Sequence, residues 1–157
     1  MNEVMMLKVT GDDQPGLTHA LTDILARSNT TILDMGQSVI HDQVSLGMLL
    51  QFPAAVNVSD TIKEVLFCAH ELGIRAIFSP VSNTSYQQWV NQQGKDRFIL
   101  TVLGRVLSGA HIAAVSEIIS KQGLNIQDIT RLTGRLPLEH CSDKDKACIE
   151  FSVRGQP

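Results

Sequence analysis

The chain has 157 residues, 43% of them hydrophobic and 18% charged, an ordinary globular composition with room for one medium core or two small ones. A formal net charge of −3 and an aromatic content of 4% supply neither the basic footprint nor the stacking platforms of a nucleic-acid binder, so no nucleic acid is expected as a partner. No apolar run approaches membrane-spanning length, and the acidic start Met1-Asn2-Glu3 is unlike a signal peptide; no membrane partner and a cytoplasmic location are the expectations.

Residues 4–10 (VMMLKVT) read as a strand apolar on nearly both sides, and therefore central in a sheet. The run GDDQPG breaks it. Leu17, Ala20, Leu21, Ile24 and Leu25 then mark an amphipathic helix, with Asp12 or Asp13 as its expected cap, Pro15 in its first turn and Asn29 as its stop. Residues 31–40 form a second strand, where Gly36 suggests a bulge or close packing, and residues 43–52 alternate as a third. The two residues between them, His41 and Asp42, make a hairpin. A second helix carries Ile62, Val65, Leu66 and Ala69, capped by Ser59 or Asp60 and ended at Gly73. Residues 74–81 are a fourth strand, with Pro80 at its exposed end. This β-α-β-β-α-β order predicts an α+β, ferredoxin-like module: one antiparallel sheet with both helices on one face.

Residues 82–95 (SNTSYQQWVNQQGK) are polar and read as a linker in which Tyr86 and Trp89 anchor a short helical turn. The pattern then restarts. Residues 98–104 match residues 5–11 at an offset of 93, and beyond the loop Val115, Ile118 and Ile119 match Leu21, Ile24 and Leu25 at an offset of 94. A one-residue change in a loop between two preserved elements is what a duplicated fold tolerates. The second copy continues through a strand over residues 125–135, a polar loop over 136–146 and a last strand over 147–153. The expected organisation is a first module over 1–81, a linker over 82–95 and a second module over 96–157 that lacks the last helix and strand.

Catalytic motifs are missing: there is no GxSxG elbow, Walker-type loop, HExxH or GxGxxG. The five histidines share no metal-ligand spacing, and Asp143-Lys144-Asp145 has neither the preceding apolar strand nor the following Thr or Val of an aspartate-based phosphatase. Cys68, Cys141 and Cys148 read as structural thiols, with Cys68 on the buried side of a helix. The loop GDDQPG has a physical case for binding. Gly16 stands at a helix N-terminus, whose amides attract a carboxylate or phosphate, and Asp12 or Asp13 would hold an ammonium group. Helix-start chemistry without any ligand explains the same residues equally well. In the second copy, Val106-Leu107-Ser108-Gly109 keeps a glycine but neither carboxylate.

GDDQPGLTHALTDILA followed by ILDMGQSVIHD resembles an ACT domain, and the duplication resembles a tandem ACT pair. With the linker YQQWVNQQGK and the segment TGRLPLE…CIEFSVRGQP, the whole chain is similar to the N-terminal region of bacterial phosphoserine phosphatases that carry tandem ACT domains. That resemblance implies a regulatory, dimerising region without catalysis of its own. It would precede a C-terminal haloacid-dehalogenase-type domain that hydrolyses O-phosphoserine to serine and phosphate in serine biosynthesis. Mg²⁺ would be needed by that catalytic domain, and no cofactor by these residues. The implied ligand is a small amino acid, serine or glycine, and the implied assembly a homodimer. The implied ligand-facing positions are Asp12, Asp13, Pro15, Gly16 and Leu17, then Ile32 and Asp34, with Ser108, Gly109, Asn125 and Asp128 in the second copy. The rival reading is a stand-alone tandem ACT regulator resembling glycine-cleavage repressor proteins.

Overall fold

The computed structural model describes residues 2–132 and 147–156. The expected end of the sixth strand (133–135), the loop over 136–146, Cys141 and Asp143-Lys144-Asp145 lie outside the described residues. The elements are β1 (Glu3–Asp12), α1 (Leu17–Arg27), β2 (Thr31–Ile40), β3 (Gln43–Phe52), α2 (Val58–Glu71), β4 (Arg75–Pro80), α3 (Asn83–Gln93), β5 (Arg97–Gly104), α4 (Gly109–Lys121), β6 (Asn125–Arg131) and β7 (Ala147–Arg154). Two compact units divide at Gln87/Gln88. The fold class is the expected α+β, ferredoxin-like one.

The first unit is a four-stranded antiparallel sheet in the order β2-β3-β1-β4. The strand read as central is central, because Leu7 and Val9 face the helices at 0% exposure while Met6 takes the other side. Every second residue of β3, from Val44 to Phe52, is buried against Leu17, Leu21, Ile24 and Leu25 of α1 and Val65 and Ala69 of α2. Each such side chain contributes on the order of 1.5–3 kcal/mol when removed from water. Pro80 closes β4, an edge strand, where a missing N–H costs least.

All three helices bounded by both units' strands end the same way. After α1, Asn29 takes the left-handed conformation (φ 51°), its N–H bonds Ala26 O and the Thr30 N–H bonds Leu25 O. Gly73 (φ 67°) and Gly123 (φ 69°) repeat this with the next residues, Ile74 and Leu124, bonding Ala69 O and Ile119 O. These paired bonds satisfy carbonyls that the helix itself cannot.

Helix starts depart from expectation. Neither Asp12 nor Asp13 caps α1: β1 runs two residues further than read, so Asp12 pairs with Gln43, and the N-cap is Gly16 with no side-chain cap bond. Pro15 accordingly precedes the helix rather than opening it. Helix α2 begins earlier than Ser59 or Asp60 would set it, with Asn57 at the N-cap, because Val58 already packs on the core. The bulge of β2 falls between Ile32 and Asp34, not at Gly36, which pairs regularly with Gly47. Residues 83–93 form an eleven-residue helix instead of a short turn. Ser82 starts it by accepting the Ser85 N–H at 3.1 Å, and no glycine or proline interrupts it.

The second unit is an antiparallel sheet in the order β5-β7-β6 with α4 on one face, packed through Ile119, Phe151 and Val153. Its bulge between Ile126 and Asp128 matches the bulge between Ile32 and Asp34 at the same offset of 94. The repeat therefore holds at the level of a backbone irregularity. Among the described residues nothing stands where α2 and β4 stand in the first unit. Leu100 is accordingly 38% exposed where its counterpart Leu7 is 0% exposed. No helix of the described residues is long and apolar enough to cross a membrane.

Candidate functional site

The loop between β1 and α1 is held from both sides. The Asp13 N–H donates to Asp42 O at 2.7 Å in the hairpin turn, and Gln43 Nε2 donates to Asp12 Oδ1 at 2.6 Å and to Asp42 Oδ1 at 3.2 Å. On the other side Gln14 Nε2 donates to Leu72 O at 2.8 Å. His41 enters the turn at φ 58° and its Nδ1 lies 2.8 Å from Asp42 Oδ1. Hydrogen bonds from His41 and then Gln43 hold the Asp42 carboxyl below its ordinary pKa.

Gly16 turns the chain into α1 with φ 85° and ψ −3°, a conformation glycine adopts without a Cβ penalty. Its flank is open: an added Cβ would meet nothing within 4 Å. Among the described residues no acceptor takes the Thr18 or His19 N–H, and Leu17 N–H reaches Gln14 O only at 3.4 Å. These amides carry the partial positive charge of the helix terminus. Asp12 is committed to Gln43, which leaves Asp13, exposed and anchored by its own backbone, as the carboxylate open to a cation.

The second unit builds the equivalent corner differently. Ser108 caps α4, its hydroxyl accepting the His111 N–H at 3.2 Å, and Gly109 is already the first helical residue. A protein group thus fills the position that the first unit leaves open. Beside it lies a cavity of about 520 Å³ over Gly104, lined by Val102, Val106, Leu107, His111 and Val115.

The remaining expected site residues are not beside the loops. Ile32 pairs with Leu50, whereas Asp12 pairs with Gln43, so seven residues of β3 separate them, about 23 Å at some 3.3 Å per residue. Ile32 instead lines a cavity of about 390 Å³ with His19, Asp23 and Thr30. Asp34 points to the opposite sheet face from Ile32 and accepts the Met35 N–H at 2.9 Å. In the second unit Asn125 and Asp128 pair with Arg154 and Ser152, two residues apart on β7 and so on one sheet face, and Asp128 accepts from Thr130 Oγ1 at 3.2 Å. Each module therefore carries two separate groups of expected residues, one at each end of its sheet.

Sequence reasoning missed Gln14, Gln43 and Gln37, the last of which accepts from Thr18 Oγ1 at 2.6 Å. Their signal was faint, since a glutamine's partner depends on which strand or helix end comes to meet it.

A family model for the ACT domain matches residues 3–79. The chain is 29% identical over 152 residues to a phosphoserine phosphatase of Streptomyces coelicolor, covering 96% of this chain and 33% of that protein. It is also 29% identical over 126 residues to phosphoserine phosphatase SerB2 of Mycobacterium tuberculosis, covering 80% of this chain and 30% of that one. It spans about a third of the length of these curated relatives. Among solved structures, a protein described as a candidate glycine cleavage system transcriptional repressor superposes with a TM-score of 0.68 at 11% identity, covering 99% of this chain and 82% of that one, a likeness of fold. Residues 3–79 therefore match the ACT domain family, and the α+β, ferredoxin-like fold of the first unit agrees with that match.

Proposed function

We propose that the chain is the amino-acid-binding regulatory and dimerising region of a phosphoserine phosphatase, with no catalytic step of its own. The observation that carries this reading is the similarity to one phosphoserine phosphatase along 96% of the chain and to a second along 80%, joined to an ACT family match over the first module. The loop geometry supports it. A zwitterionic amino acid would place its carboxylate on the Thr18 and His19 amides and its ammonium group near Asp13, while Gly16 leaves room for close approach. The first module is the binding module in this reading, because Ser108 occupies the matching amide position in the second. Among the described residues no group of three His, Cys, Asp or Glu side chains could hold a metal ion. In this reading any Mg²⁺ would serve the catalytic domain.

Isothermal calorimetry with serine, glycine and O-phosphoserine tests the reading. Heat with serine or glycine is expected in the parent chain, and none in Gly16→Val, whose β-branched side chain would sit at φ 85°. Circular dichroism on the variant checks that the fold survives. Absence of heat with all three compounds, or equal affinity in the variant, refutes the site.

A further inference from the structure

We propose that Gln14 is the positioning residue of the β1–α1 loop, latching it to the corner between α2 and β4 so that the loop's occupancy is felt at the edge strand. The transmission part rests on the amino-acid-binding reading above; the latch itself does not. Leu72 is the C-cap of α2, where carbonyls outlast their intrahelical partners. The bonds that close this helix use the carbonyls of Cys68, Ala69 and His70, and the Leu72 carbonyl accepts from Gln14 Nε2 at 2.8 Å. A second contact lies beside this one. An added Cβ on Gly11 would stand 2.9 Å from Ile74 Cγ2 and 3.2 Å from Ile74 Cα, so the end of β1 lays bare backbone against the same corner.

The order along the chain gives these contacts their meaning. Gly11 and Gln14 are tied to the corner, and Gly16, two residues later, is a left-handed turn with open space around it. Gln14 is thus the last side-chain anchor before the pivot that presents the α1 amides. Movement of the loop pulls on the Leu72 carbonyl, and β4 starts three residues further on at Arg75, paired only with β1 at the rim of the sheet. In the second unit the counterpart of Gln14 is Leu107 or Ser108, neither of which has an amide to offer, and among the described residues no helix stands in the place of α2, so the latch is a property of the first module.

Two variants of the full chain decide it. Gln14→Met keeps the length and removes the donor; Gln14→Lys keeps a donor. Amide hydrogen exchange without ligand should show Asp13 and Leu17 exchanging about fivefold faster in Gln14→Met, the worth of one hydrogen bond, with β3 amides unchanged and Gln14→Lys close to the parent. Serine affinity should fall by a similar factor of about five in Gln14→Met and return in Gln14→Lys. Serine should slow the Gly73 and Ile74 amides in the parent but not in Gln14→Met. Unchanged loop exchange in Gln14→Met, or a Gln14→Lys chain as labile as it, overturns the latch. Equal slowing of Gly73 and Ile74 in parent and Gln14→Met overturns the transmission. A parent that binds no serine removes the ligand reading, and the ligand-free exchange comparison still decides whether Gln14 positions the loop.

Discussion

Gly11 and Gly104 occupy the same position of the repeat, and alanine at each should act with opposite sign. At Gly11 the new methyl carbon would lie 2.9 Å from Ile74 Cγ2 and 3.2 Å from Ile74 Cα, closer than unbonded carbons settle, and the backbone there has φ 152°. The Ile74 side chain is 8% exposed and has little room to retreat. Overpacking of this kind costs about 1–3 kcal/mol, and an unfavourable φ for a residue with a Cβ adds on the order of 1 kcal/mol. Gly11→Ala should therefore destabilise the first module by about 2–4 kcal/mol. At Gly104 the nearest atom to an added Cβ is Val106 O at 3.6 Å, an ordinary contact. There the loss of glycine's unfolded-state freedom dominates, and Gly104→Ala should be neutral or stabilise the second module by up to about 1 kcal/mol. Urea titration with amide exchange read separately on β1–β3 and on β5–β7 peptides measures both. Equal destabilisation by the two substitutions would refute the claim that the Ile74 corner sets the requirement for glycine.

Three further outcomes follow from the same comparison of repeats. Leu7→Ala should cost about 3–5 kcal/mol and Leu100→Ala about 1 kcal/mol, because only Leu7 is sealed by helix α2 and strand β4; equal losses in urea titration would count against that account. Ser108→Ala should cost the second module about 1 kcal/mol through the lost His111 N–H acceptor, read as faster exchange at the start of α4, and unchanged exchange there would contradict the cap. The Asp42 carboxyl, held low by His41 and then Gln43, should stabilise the hairpin turn at pH values above the ordinary carboxylate pKa of about 3.9 and lose that contribution as pH falls through its lowered native value. A carbon-detected NMR titration of Asp42 should show its pKa rising towards the ordinary value in His41→Ala; an identical curve in the variant would dismiss the interaction.

Periodicity alone determined the module. Alternation in β3, the 3.6-residue spacing of Leu17, Leu21, Ile24 and Leu25, and the stops at Asn29 and Gly73 depend on neighbours within a turn or a strand, so the residues that encode them stand side by side in the sequence. The offset between copies made the repeat visible for the same reason. Only the tertiary structure decided how the loop is held. Asp12 could not be seen as a strand residue bound to Gln43, thirty-one positions away, nor Gln14 as a partner of Leu72, fifty-eight positions away. It also separated Ile32 and Asp34 from the loop they were grouped with, because strand direction puts the end of β1 and the start of β2 at opposite ends of the sheet. Local rules fix which segments are helix or strand; which helix carbonyl a glutamine meets is fixed by packing, and packing is a property of the whole module.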